Sequence, residues 1–220
     1  MVLKIFASTI QFRRQLMLGV VVLTLYGCGT NTITVEGNFP APLVNTLPLT
    51  LGVYYDDIFI QHRYEYKPKG MQEAKLIMNT GDIQVTMFNN LLSSMFEKVV
   101  VLPDYSPSER DDVDLILVPE VDDFQHAIPN HTKINVFEIW MRYRLKLFDR
   151  QGEPVADWIM SSYGKTPTAF FQSGDAGINA ATIVALRDAG ANFALNFARV
   201  PEVKLWLEEN LDTESAGESP

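Results

Sequence analysis

Residues 134–164, INVFEIWMRYRLKLFDRQGEPVADWIMSSYG, decide the fold. Phe137, Ile139, Met141, Tyr143, Leu145 and Leu147 recur at every second position. Glu138, Trp140, Arg142, Arg144 and Lys146 fill the gaps. A period of two over so long a run marks a strand with one buried face and one exposed face. Asp149-Arg150-Gln151-Gly152 then offers a turn, with Gly152 free to take the positive φ that a tight reversal needs. Residues 154–164 return with Ala156, Trp158 and Met160 on one face. The stretch predicts a long antiparallel hairpin whose apolar side must be covered.

Two segments have the helical period to cover it. In residues 82–98, Met87, Phe88, Leu91, Leu92 and Met95 fall on one broad arc, opposite Thr86, Asn89, Asn90 and Ser93. Asp82 suits its start, where free amides and the helix dipole favour an anion. Residues 176–199 predict a second helix that is apolar nearly all round. Ile178, Leu186, Ala189, Phe193 and Phe197 line one side, and Ala180, Ala191, Ala194 and Ala198 much of the other. Such a helix is covered twice. The sheet supplies one cover; residues 201–207 or a neighbouring subunit supply the other, which makes a homo-oligomer one of the expectations.

Further strands are read at PLTLGVYY (48–55), at the alternating run IFIQHRYEYK (58–67), at residues 99–102 and at VDLILVPEV (113–121). The last is apolar on both faces and hence central, with Pro119 at an end or bulge. The fold class expected is α+β: a mixed, largely antiparallel sheet with two main helices packed on it.

The flanks differ in character. Residues 1–14 carry Lys4, Arg13 and Arg14 and no acid, and 16–26, LMLGVVVLTLY, are almost wholly apolar. A basic head, a short apolar run and small residues before a cut read as a secretory signal peptide over 1–27, too short to span a bilayer. Residues 28–47 read as a polar tether with Pro40 and Pro42, 48–207 as one domain, and 208–220, EENLDTESAGESP, as a disordered acidic tail. The chain has 18 basic and 27 acidic residues, a formal net charge of −9. Loss of 1–27 leaves 15 basic residues and −12. That balance excludes nucleic acid as a partner, since phosphates need a basic face.

Motifs for chemistry are sparse. Gly164-Lys165-Thr166 lacks the glycine that a phosphate-binding loop needs five residues earlier, where Ile159 stands, and Pro167 blocks the helix that should follow. No HExxH or GxSxG run occurs. His126 and His131 with Asp122 or Asp123 are the one thinkable metal set, with solvated loop residues the simpler reading. The pairs Asp56-Asp57, Asp111-Asp112 and Asp122-Asp123 read as turn acids. No metal, cofactor or catalytic residue is expected, and the chain is read as a non-enzyme. Arg142, Arg144 and Lys146 make a basic stripe beside Trp140, the kind of aromatic anchor that interfaces favour. They are the candidate partner-docking residues, with a solvated strand face as the plain alternative.

Leu25-Tyr26-Gly27-Cys28 resembles a bacterial lipobox, and Cys28 is the chain's one cysteine. The resemblance implies acylation of Cys28 and cleavage before it; several acyl chains on one residue anchor a protein without a membrane helix. Gly29, not Asp, follows the cysteine, which by the same resemblance points to the outer membrane, periplasmic face. The element order also resembles that of periplasmic outer-membrane assembly lipoproteins. These are the curli-secretion lipoprotein, the lipoprotein activators of peptidoglycan synthases, and the amino-terminal domain of the Tol-Pal translocation protein. The features that carry it are Cys28, the strand at Leu49–Val53, the strand at Asp114–Val118, the hairpin turn at Gly152 and the Ala-rich helix from Ala180. The resemblance implies a non-catalytic accessory or adaptor in envelope assembly, transport or secretion, with an envelope protein as partner. The alternative expectation is a periplasmic binding protein for a lipid or other small apolar ligand, held near Met87, Met95 and Trp158.

Overall fold

In a computed structural model, the residues described are 30–69, 74–104, 112–170 and 173–217. The segment read as a signal peptide and Cys28, read as a lipidation site, lie outside them. The chain divides into two compact units: residues up to Thr32 with 65–77, and residues 33–64 with 78–220.

The elements are β1 (Thr30–Thr34), β2 (Leu47–Val53), α1 (Asp57–Ile60), β3 (Arg63–Tyr66), β4 (Lys75–Asn79), α2 (Gly81–Met95) and β5 (Phe96–Val101). They continue with β6 (Leu115–Ala127), α3 (Pro129–Thr132), β7 (Val136–Asp149), β8 (Pro154–Pro167), α4 (Gly174–Asn196) and α5 (Pro201–Gly217). The class is α+β, mixed and largely antiparallel, as the hairpin predicts. The smaller unit contributes residues to a three-stranded sheet ordered β1-β4-β3, with Leu76 and Ile77 buried and Lys75 ion-paired to Glu65 at 2.9 Å.

The larger unit is built on a five-stranded sheet ordered β5-β2-β6-β7-β8. β2 runs parallel to both β5 and β6, and β6, β7 and β8 are antiparallel. The hairpin pairs Val136 with Pro167 at its open end and Phe148 with Pro154 next to the turn, where Gly152 takes φ 83°. All six apolar residues that alternate along β7 are buried, and Tyr143, Leu145 and Leu147 are fully so. Against this face lie α2 and α4. Phe88 of α2 meets the Tyr143 ring edge-on at 5.6 Å and the Phe193 ring of α4 at 6.2 Å. Each such side chain contributes about 1.5–3 kcal/mol by leaving water.

β6 explains its apolar character on both faces. Leu115 and Leu117 face the helices, while Ile116 and Val118 meet Leu102 and Val113 in a smaller core on the opposite face. Pro119 lies within the strand, paired in register with Leu145. The Tyr54 N–H reaches the Leu117 carbonyl, so odd residues of β6 turn their backbone groups towards β2, which ends at Val53. Pro119 therefore has no ladder bond to lose. Three residues on, a bulge at Asp122 resets the alternation and turns Phe124 and His126 to the inner face.

Four sequence readings are corrected. Residues 58–66 are not one strand: Asp56 accepts the Phe59 N–H at 2.6 Å and caps the short helix α1, leaving only Arg63–Tyr66 extended. The helix read over 82–98 stops at Met95, because Phe96 is already extended (φ −122°, ψ 147°) and opens β5. Residues 208–217 continue α5, where a frayed tail is expected. A second cover of α4 comes from residues 35–45, read as a free tether, which run along it.

Candidate functional site

Three groupings in the larger unit bear on function. The first is the outer face of the hairpin. Trp140, Arg142, Arg144 and Lys146 all point outward, as the alternation requires, but the cations do not form a free basic stripe. Arg142 is ion-paired to Asp122 on β6, and Lys146 to Glu120 at 2.5 Å. Arg144 binds Asp157 on β8 through two parallel bonds, Nε to Oδ1 at 2.9 Å and a terminal nitrogen to Oδ2 at 2.7 Å. These bonds hold the Asp157 carboxyl below its ordinary value and the Arg144 guanidinium above its own. What this face presents is aromatic and apolar: Trp140 is 40% exposed, Ile159 50% and Tyr163 37%. The Trp140 and Tyr163 rings lie 5.3 Å apart, and the Tyr163 hydroxyl donates to Glu138 at 2.6 Å. Loss of solvation, with the Glu138 carboxylate beside it, pushes the Tyr163 hydroxyl up to about 12. A hollow of about 250 Å³ opens beside Trp140, floored by Gln125, Arg142 and Ser161.

The second grouping is the seam between α2 and α4. Spacing of four sets Met87, Leu91 and Met95 in one line on α2, and Leu186, Gly190 and Ala194 in another on α4. The segment after β1 lies across the seam. Asn179 of α4 holds the Glu36 backbone by both groups, Oδ1 accepting its N–H at 2.9 Å and Nδ2 donating to its carbonyl at 3.0 Å. Arg187 donates to the Asn38 carbonyl at 3.0 Å. Beyond these anchors the segment bridges two hollows in succession. A cavity of about 240 Å³ lies beneath Phe39–Pro42, against Met87, Leu91, Gly190 and Arg187. An open hollow of about 600 Å³ lies beneath residues 43–47, against Met95 and Leu195. Met87 and Met95, picked out from the sequence, line this seam; Trp158 lines a separate hollow with Phe193 and Asn192.

The third is a buried polar chain. Tyr143 Oη donates to Gln84 Oε1 at 2.7 Å, and Gln84 Nε2 donates to Thr80 Oγ1 at 3.0 Å. Thr80 Oγ1 lies 2.6 Å from His62 Nδ1. Burial lowers the His62 imidazole below its ordinary value and raises the Tyr143 hydroxyl well above its own. His62 also packs on Phe124, which stacks with Tyr64; Tyr64 reaches His126, and His126 lies beside His131 at 5.7 Å. All three histidines thus share one aromatic cluster, which their sequence separation concealed. Among the described residues no group of three His, Cys, Asp or Glu side chains is placed to hold a metal ion.

Neither a protein-family model nor a curated protein matches the chain. Among solved structures, a minor lipoprotein from Acinetobacter baumannii is 7% identical, with a TM-score of 0.41 over 70% of this chain and 94% of that one. A hypothetical protein from Chlamydia trachomatis is 9% identical, with a TM-score of 0.42 over 69% of this chain and 96% of that one. A protein from Caulobacter crescentus, classed provisionally as a lipoprotein, is 17% identical, with a TM-score of 0.37 over 54% and 80%. Likenesses this distant carry no argument about what the chain does.

Proposed function

We propose that this chain is a lipid-anchored, non-catalytic accessory of the bacterial envelope that docks a protein partner through the outer face of its hairpin. The anchor is the acylated Cys28 of the Leu25–Cys28 lipobox, and Gly29 after it favours the periplasmic face of the outer membrane. The observation that carries the docking role is the exposed Trp140–Tyr163 pair, with exposed Ile159 two outward-facing register pairs further along the same antiparallel face. The neighbouring cations are already paired within the sheet, so the partner meets an aromatic and apolar surface rather than a basic one. This moves the centre of docking from Arg142, Arg144 and Lys146 to the Trp140–Tyr163 pair, with Ile159 on the same face.

The test is a photo-crosslinking residue introduced at Ile159 in living cells, with Lys204 on α5 as the control position. One discrete protein adduct, specific to position 159 and lost with Trp140→Ala, is expected. Equal adducts at both positions, or an adduct indifferent to Trp140→Ala, would refute the docking face. Cys28→Ser is expected to release the protein from the membrane fraction. Its retention would remove the anchor from the reading. A second reading, a carrier of an apolar ligand, has its own observation in the α2–α4 seam.

A further inference from the structure

The seam between α2 and α4 is closed where Phe88 meets Phe193 but hollow along its outer edge, under residues 39–47. Met87, Leu91 and Met95 span two turns of α2, about 12 Å at 1.5 Å per residue, and face small residues of α4. At Gly190 an added Cβ would meet nothing within 4 Å except Met87 Sδ, at 3.6 Å, which is ordinary contact. Beside this contact, the cavity of about 240 Å³ and the hollow of about 600 Å³ are room that neither helix fills. Phe39–Pro42 and the residues after them cover this room without filling it: Leu43 is fully exposed and Leu195, which lines the same hollow, is 62% exposed. Apolar surface so placed is unfavourable in a water-soluble domain unless something covers it.

One charge marks the slot. Arg187 lines the first cavity, and among the described residues its polar partner is the Asn38 carbonyl, not a carboxylate. The chain as a whole carries −9, and its other outward arginines on the hairpin are paired with acids. Two mainly apolar hollows in line along the helices, with a cation at the outer end of the first, are complementary to a long hydrocarbon chain that ends in an anionic group. Flat aromatic or strongly polar ligands would leave either the length of the slot or its apolar wall unused.

We propose that the α2–α4 seam binds the acyl chain of an anionic membrane lipid, with Arg187 at its head-group end and residues 39–47 as its cover. The role is separate from docking at Trp140 and does not depend on it.

The test uses the full chain with Cys28→Ser, so that no acyl group of its own is attached, and the fluorescent fatty acid cis-parinaric acid as probe. Saturable binding is expected, weakened about ten-fold, equivalent to 1.4 kcal/mol, by Gly190→Leu, which fills the slot. Gly190→Ala, whose methyl makes only ordinary contact, keeps the fold and weakens binding less. Arg187→Gln is expected to weaken the acid but not its neutral methyl ester. No saturable binding, or binding unchanged by both Gly190 variants, would overturn the proposal. So would a lipidated wild-type chain that no longer takes up the probe, since the slot would then hold the protein's own anchor. A dimer that forms through the seam and dissociates with Gly190→Leu would equally overturn it in favour of a second copy.

Discussion

Asn179 holds Glu36 by its backbone on both sides: the amide oxygen accepts the Glu36 N–H at 2.9 Å and the amide nitrogen donates to the Glu36 carbonyl at 3.0 Å. Asparagine mimics a peptide group here, and the chain after β1 is tied to α4 as if by one rung of a sheet. Asn179→Ala removes both bonds, at a net cost of about 1 kcal/mol for each. The loss is local, because β2 still fixes the far end of the segment at Leu47. Amide hydrogen exchange over residues 36–42 is expected to rise while the five-stranded sheet keeps its protection. Asn179→Asp keeps the acceptor but sets a carboxylate against the Glu36 carbonyl, and is expected to open the segment as far. Unchanged exchange in both variants would show that the hollows beneath the segment hold it by themselves.

Gly164 supplies a contrasting pair of predictions. A Cβ there would lie 2.0 Å from the Ala181 carbonyl oxygen and 2.4 Å from the Ala185 nitrogen, both backbone atoms of α4. The glycine exists because the helix rests directly on β8, not because a phosphate approaches it. Gly164→Ala is expected to destabilise by at least the 1–3 kcal/mol typical of overpacking, since backbone cannot move aside as a side chain can. Gly174, in the first turn of α4, has nothing within 4 Å of its virtual Cβ. Gly174→Ala is expected to be neutral or to stabilise by about 0.5 kcal/mol through the unfolded state. Denaturant midpoints of the two variants check the contrast, and equal midpoints would contradict it.

These elements divide by how locally they are specified. The hairpin was legible because its period of two runs through β7 and its turn carries its own chemistry at Asp149–Gly152. The helices were legible from their arcs, although Phe96 belongs to both the arc of α2 and the alternation of β5, so the boundary was not. The run Ile58–Tyr66 alternates as a strand does, but capping at Asp56, which acts over three residues, wins over the pattern. The docking of residues 35–45 left no local trace, because its partners Asn179 and Arg187 lie more than a hundred positions away. Likewise the basic stripe was visible along β7, whereas its neutralising acids sit on β6 and β8 and only the register brings them alongside.

That register makes the outer ladder testable. Asp157 pairs diagonally with Arg144, whose direct neighbours across the sheet are Ile159 and Glu120. Arg144→Asp places like charges together and is expected to lower the melting temperature, more at low salt than at high salt because exposed pairs are screened. Asp157→Arg alone should do the same, and the two together should recover part of the loss, since the swapped charges then face Glu120 and Lys146. A double variant no better than the worse single one would show that the pair contributes only its packing. Because the ladder is self-neutralised, loss of partner capture should follow Trp140→Ala rather than Arg144→Gln.

His62 makes stability fall as the solution becomes acidic. Its Nδ1 lies 2.6 Å from Thr80 Oγ1, at the end of the chain in which Tyr143 donates to Gln84 and Gln84 to Thr80. Proton uptake would put a charge on a ring buried beside Phe124, and the lost solvation favours the neutral form. The folded value therefore lies below the ordinary 6.5. As pH falls below about 6.5 the unfolded chain takes up the proton before the folded one does, and stability declines until the folded value is passed. Above that window the residue has no effect on the slope. Urea unfolding from about pH 7.5 down to about pH 5.5 should therefore show a falling midpoint. His62→Asn, which keeps a polar atom near the Nδ1 position and cannot be protonated, should flatten that fall while lowering the midpoint at neutral pH. Parallel profiles for the two proteins would assign the acid sensitivity to other groups in the aromatic cluster.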